Sequence, residues 1–217
     1  MMIKTTWVNH ILNFVAVILG VYIAFHISES AKESGEKEES IALMKALLDD
    51  LQSDLTTYTD YQIPFNKRYE EQVDSLLLAL TNNDTDEIHA KLFQIFQVNN
   101  YNPTSTTYNS IKSSGKIRLI NDLSLQRKLS DFYDGAAIEC ENKNQIQVDF
   151  FMQELVTWMT VNTDLYETTI NKKADMIVLR NKLIVYTSLV AQKIEQYEKI
   201  AEDITELKAQ LETTINQ

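Results

Sequence analysis

Apolar and polar positions divide the chain into two unlike parts. From Trp7 to Ile27, WVNHILNFVAVILGVYIAFHI, twenty-one residues carry no formal charge. As a helix they would reach roughly 31 Å, about the hydrocarbon thickness of a bilayer. From Ile41 onward the pattern changes to steps of three and four. Ile41, Met44, Leu48, Leu51, Leu55 and Tyr58 trace a narrow seam, and Asp49, Asp50, Gln52, Ser53 and Asp54 fill the rest of those turns. The seam resumes with Tyr69, Val73, Leu76, Leu77 and Leu80, beyond Pro64, which should end or kink the helix near Tyr61 or Gln62. One long kinked helix, or two in series, is expected from about 36 to 81.

Downstream, Thr81-Asn82-Asn83-Asp84 reads as a turn, with Asp84 or Thr85 as an N-cap. A shorter helix at about 86–98 carries Ile88, Leu92, Ile95 and Phe96 on one face, and Asn99 to Thr104 is a loop. Tyr108 and Ile111 give the next helix its apolar face, and Gly115 suits a left-handed cap at its end. After the link Ile117, Leu119 and Ile120, Asn121 or Asp122 caps a helix with Leu125, Leu129, Phe132 and Tyr133 on its stripe. It continues through Gly135 toward Asn162 by way of Ala137, Cys140, Asn144, Val148, Phe151, Leu155 and Trp158. A turn region, Asn162 to Asn171, precedes a final helix at about 172–215 with Ile177, Ile184, Leu189, Ile194, Tyr197, Ala201, Ile204, Leu207 and Leu211. The predicted fold is all-α: an N-terminal transmembrane helix, then an elongated antiparallel helical bundle with long coiled-coil-like helices. Its divisions are a tail at 1–6, a span at 7–27, a charged helical neck at 28–40 and the bundle at 41–217.

The apolar stretch has two readings. As an uncleaved signal anchor, it has Trp7 at one interface and His10 and His26 bracketing its core. As a cleaved secretory signal, it would be cut near Ser28-Glu29-Ser30, which is a poor small-x-small site behind an n-region with only Lys4 as a charged side chain. The anchor is favoured; a secreted helical protein is the alternative if residues 1–30 are removed. Lys and Arg nearly tie across the two ends, so orientation follows the usual signal-anchor arrangement: a bacterial inner membrane, the N-terminus cytoplasmic and the bundle periplasmic. Within the span, Asn13 and the small residues Ala16, Gly20 and Ala24 are candidates for helix association. An amide in lipid needs a partner, and small side chains every four residues allow close contact.

Composition sharpens this picture mainly by exclusion. Four Gly and two Pro in 217 residues leave few turns and favour long helices. A formal charge of −11 removes the electrostatic footprint of a nucleic-acid binder, so no nucleic-acid partner is expected. Cys140 is alone, which excludes a disulfide framework and a thiolate metal cluster, and His89 has no ligand partners at metal spacing. No metal, cofactor or catalytic residue is expected, because no nucleophile elbow, HExxH, P-loop or dinucleotide fingerprint occurs. The chain is locally basic around one turn. There Tyr108, Lys112, Ser113, Ser114, Gly115, Lys116 and Arg118 form a candidate corner for an anion or a partner, or a structural corner whose cations offset acidic neighbours.

The span ending AVILGVYIAF, the Glu/Lys-rich neck, IALMKALLDDLQSDL and TYNSIKSSGKIRLINDLSLQRKLSDFYD together resemble a family of uncharacterised membrane proteins from Bacteroidota. The resemblance covers most of 7–135. It implies a single span, a helical extracytoplasmic domain and no activity that can be carried over.

The reading these features support is a membrane-anchored, non-enzymatic interaction component of a membrane-associated assembly. Its partners would be the lipid bilayer and either a second copy or another membrane protein, with self-association through the neck and final helix. That expectation rests on narrow stripes running along helices that outreach a small core. The alternative is an extracytoplasmic ligand-sensing domain that signals through a separate partner.

Overall fold

In a computed structural model that describes residues 3–216, and the side chains of all but 3–6, 8, 9 and 11 of these, helices α1 and α2 run outward from the N-terminus as one rod. The side chains of the expected tail at 1–6 therefore all lie outside the described ones. Helix α1 spans Ile3–Thr56 and α2 spans Ile63–Asn82, joined by a single π turn at Thr57–Gln62. The π turn explains why Pro64 does not end the helix. Pro64 has no N–H to give and its ring crowds the carbonyl four residues back; a wider turn just before it relieves both demands. The widened turn also shifts the seam. Its buried residues are Ser40, Met44, Leu47, Leu51 and Asp54 below the turn, Tyr58 and Gln62 within it, then Asn66, Tyr69, Val73, Leu76 and Leu80. This corrects the seam drawn from sequence: Leu47 and Asp54 lie on it, while Leu48 and Leu55 lie on its half-buried flank.

Asp84 caps α3 (Thr85–Leu92) by accepting from the Glu87 N–H, and a 3₁₀ turn at Phe93–Ile95 ends it short of the expected 98. The chain then descends without regular structure to α4 (Thr106–Ser113), Gly115 with φ +71°, and a 3₁₀ turn at Lys116–Leu119. Asp122 caps α5 (Leu123–Asp131) through the Ser124 and Leu125 N–H groups. Two further π turns, Phe132–Ala136 and Phe151–Val156, join α5 to α6 (Ala137–Phe150) and α7 (Thr157–Asn162) in one outward leg. Within the expected turn region, β1 (Thr163–Asp164) and β2 (Thr169–Ile170) pair antiparallel. Asp175 then caps α8 (Met176–Ile215), which returns along the full length of the bundle.

The result is all-α apart from that short hairpin: an antiparallel bundle whose legs run out, back, out and back. Helix α8 packs against both outward legs. Its buried positions Leu179, Leu183, Tyr186, Val190, Lys193, Tyr197, Ile200, Ile204, Leu207 and Leu211 alternate steps of four and three. Ile177 and Ile184, assigned to the stripe from sequence, are instead exposed, because the true register passes through Leu179 and Leu183.

The apolar interior falls into two clusters. The one near the neck joins Met44, Leu47 and Leu51 to Leu125, Leu129, Ile204, Leu207 and Leu211. The far one joins Val73 and Leu76 to Leu92, Leu155, Trp158, Leu179 and Leu183. The stripes of α1 and α8 thus satisfy each other within one chain. Leu211 and Ser40, near the neck end of these stripes, are both buried within the chain.

Candidate functional site

Between the two apolar clusters the bundle is polar. Asp54, Gln62, Asn66, Asn144, Gln147 and Lys193 occupy seam positions where apolar residues would continue the core, and each is buried. What reaches them is the irregular descending segment, 97–104, which crosses the bundle like a strap. Isolated polar groups at these depths would cost several kcal/mol unless bonded. The strap supplies partners to Asp54, Gln62, Asn144 and Lys193, whereas Asn66 donates to the Gln62 carbonyl and Gln147 to Tyr186 OH.

Asp54 takes three of its groups: Tyr101 OH at 2.7 Å, Thr104 N–H at 2.7 Å and Thr104 Oγ1 at 2.8 Å. The Tyr101 carbonyl accepts from Tyr58 OH at 3.2 Å and from Asn144 Nδ2 at 2.9 Å, while the Tyr101 N–H donates to Tyr197 OH at 2.9 Å. Tyr197 OH in turn donates to Asn144 Oδ1 at 2.9 Å. Tyr58 packs edge-on against the rings of Tyr101 and Tyr197. Lys193 Nζ donates to the Asn99 carbonyl at 3.2 Å and to Asn100 Oδ1 at 2.9 Å. A bond from Gln62 Nε2 to Asn99 Oδ1 completes the clasp from α1's side of the bundle.

Burial sets the ionisation here. Lys193 is 1% exposed and forms no ion pair among the described residues, and loss of hydration brings its pKa down to about 7. Burial pushes the Cys140 thiol up to about 11, against the opposing hydrogen bond with Tyr58, so it is a neutral thiol at physiological pH. Burial likewise raises Tyr58, Tyr69 and Tyr197, which remain phenols that donate. Among the described residues, three carboxamide oxygens of the layer, on Gln62, Asn66 and Gln147, accept no hydrogen bond. Chemically the layer is a joint that holds the strap, with every ionisable member enclosed.

The corner singled out in the sequence is brought together as a surface cluster. Tyr108 OH, Lys112 Nζ and Ser130 Oγ all donate to Asp134 Oδ2, at 2.8, 2.7 and 3.0 Å. Those bonds, Lys112 first, hold the Asp134 carboxyl below its usual range. The Tyr108 ring stacks on Tyr133 with centroids 4.4 Å apart. Ser113 and Ser114 turn back onto the Ser110 carbonyl, and Lys116 pairs with Glu39 at 2.7 Å. Lys112 and Lys116 are therefore spent inside the fold, which makes the corner a strut between neck and bundle. Arg118 stands apart: it is exposed and in no ion pair among the described residues.

Asn13, Ala16, Gly20 and Ala24 are all exposed on α1, and a side chain at Gly20 would meet nothing within 4 Å. Nothing in the described chain covers this end of the helix.

Sequence reasoning missed Lys193, Asp54 and the strap as one unit. The signal for Lys193 was the alternating step along α8, which puts it on the seam three residues after Val190. For Asp54 the signal was its place four residues before Tyr58. The strap itself carries no periodic signal.

These features define a class of protein: a helical bundle with a polar clasp at its middle, carried on a helix long and apolar enough at its N-terminal end to cross a membrane, with none of that apolar window buried. A family model for a family of unknown function (DUF6090) matches residues 13–139, and the chain belongs to that family. The match takes in the apolar helix, the strap and the Tyr108–Arg118 corner, and it stops before Lys193 and α8. Comparisons with curated proteins and with solved structures each found no match.

Proposed function

We propose that this chain is a single-span membrane protein whose bundle stands off the bilayer as a non-enzymatic interaction component of a membrane-associated assembly. It would sit in a bacterial inner membrane, N-terminus cytoplasmic and bundle periplasmic. One observation carries the reading: α1 runs without a break from Ile3 to Thr56, so its bare apolar end continues as a rigid rod into the seam of the bundle. Large side chains from Leu12 to Ile27 are exposed, Phe14 at 66% and Phe25 at 63%, which water would penalise and lipid would not. The unbroken helix across Ser28–Ser30 favours an anchor over a cleaved signal. With the stripes of α1 and α8 satisfied within the chain, the surfaces left for a second copy or another membrane protein are the span and the neck.

The test is alkaline extraction of membranes from cells expressing the full chain, combined with labelling of Ser34→Cys by an impermeant maleimide. Cys140 is buried, so the introduced thiol reports alone. A full-length chain retained in the pellet and labelled from the periplasmic side is expected. A shortened chain in the soluble fraction would sink the anchor reading. Oxidative cross-linking of the same variant tests self-association, and monomer bands alone count against it.

A further inference from the structure

We propose that the strap is a latch: residues 97–104 lift off the bundle while its helices stay folded. The charge on Lys193 sets how often they lift.

The hold on the strap is of a kind that can be let go. From Val98 to Thr104 the chain has no regular structure and makes no backbone–backbone hydrogen bond among the described residues. Its grip comes from side chains of the bundle: Asp54, Tyr58, Asn144, Lys193 and Tyr197. Pro103 is its one buried residue, and Val98 and Tyr101 are half-buried at the edges of the two apolar clusters. Lifting therefore exposes little apolar surface, and water can replace each bond that is lost. Water also reaches the Gln62 carboxamide, whose nitrogen donates to Asn99 and whose oxygen accepts no hydrogen bond while the strap is down.

Lys193 is the group under the latch whose charge responds. Both hydrogen bonds from its Nζ go to the strap, to the Asn99 carbonyl and to Asn100 Oδ1. With the strap up, Nζ meets water. Its pKa is about 7 when covered, and an uncovered lysine returns to about 10.4. Between those values the open state holds the extra proton, so lifting becomes rarer as pH rises, by up to about tenfold per unit. Burial keeps Cys140 on α6 at about 11 and raises Tyr58, Tyr69, Tyr101, Tyr186 and Tyr197, so these neighbours stay neutral near pH 8. The charged groups near the layer are tied: Lys143 on α6 to Glu139 at 3.1 Å, and Asp54 on α1 to three strap groups.

Hydrogen–deuterium exchange of the full chain in detergent micelles, read by mass spectrometry at pH 7.5 and 8.5, tests both parts. Hydroxide-catalysed exchange of amides quickens about tenfold across that unit when opening itself is insensitive to pH, and the exposed neck at 28–36 supplies this reference. The strap is expected to exchange faster than α8 around Leu183 and Val190, yet to quicken no more than about three-fold. In Lys193→Met it should quicken about tenfold, as the neck does. A strap that exchanges in step with α8 overturns the latch, since it would then open only on unfolding. A tenfold rise in the parent, or a level rate in Lys193→Met as well, overturns the control by Lys193. Should Lys193→Met not fold, the parent's strap measured against its own neck and α8 still decides.

Discussion

Lys193 Nζ meets Asn100 Oδ1 at 2.9 Å in an interior where it has no carboxylate partner. An amine on α8 thereby holds a segment with no regular structure of its own, at a point where two apolar cores would otherwise merge. The neighbouring bond to the Asn99 carbonyl makes the hold two-pronged.

A pH dependence follows. The pKa of Lys193 is about 7 in the fold and about 10.4 in an unfolded chain. Between those values the unfolded state binds the extra proton, so this residue makes stability rise with pH from about 7 upward; below 7 both states are protonated and its slope vanishes. Thermal unfolding of the full chain from pH 6.5 to 9.5 should show a rising component that Lys193→Met removes. An identical slope in both proteins would show that Lys193 is charged throughout.

Asp54 should be the costlier position. Its carboxylate satisfies three strap groups in the interior, and bonds to charged groups contribute about 1.5–3 kcal/mol each. Because such losses are not additive, Asp54→Ala is expected to destabilise by about 3 kcal/mol. Urea unfolding measures the loss, and limited proteolysis should show new cleavage within 97–104. A variant as stable and as protease-resistant as the parent would mean that the strap is held elsewhere.

Register along α8 can be read by contrast. Leu183 is fully buried whereas Ile184 is 53% exposed. Leu183→Ala should cost about 2–5 kcal/mol, and Ile184→Glu should stay within about 0.5 kcal/mol. Reversal of that order would restore the stripe drawn from the sequence.

Gly115 at φ +71° ends α4 in the left-handed region, where a Cβ strains the backbone even though space around it is open. Gly115→Ala should cost about 1 kcal/mol. Gly20→Leu, in contrast, touches nothing within the chain. If Gly20→Leu together with Asn13→Leu leaves cross-linking of Ser34→Cys in membranes unchanged, the span is an anchor without a role in association.

Much of this fold was legible as local pattern. The caps at Asp84 and Asp122, the left-handed Gly115, the continuation through Gly135 and the bare apolar stretch at Trp7–Ile27 each follow from side-chain chemistry within a few residues. An apolar run without charges and seams stepping by three and four are properties of the chain itself, so all-α architecture and a candidate span could be read directly.

What only tertiary structure decided is where polar residues may be buried. Asp54 looks like any other acid in a solvated turn, and Lys193 like any lysine on a long helix. Their burial depends on a strap whose groups come from 47 to 94 residues away in sequence. The same holds for the corner, where Lys112 and Lys116 read as free cations until Asp134 and Glu39 are folded against them. Periodicity reports which residues avoid water locally; it carries no information about which distant donor or acceptor will make burial of a polar one tolerable. The sequence by itself therefore determined the helices and the candidate membrane span, and tertiary packing determined the clasp that joins the two cores and left Arg118 exposed beside the neck.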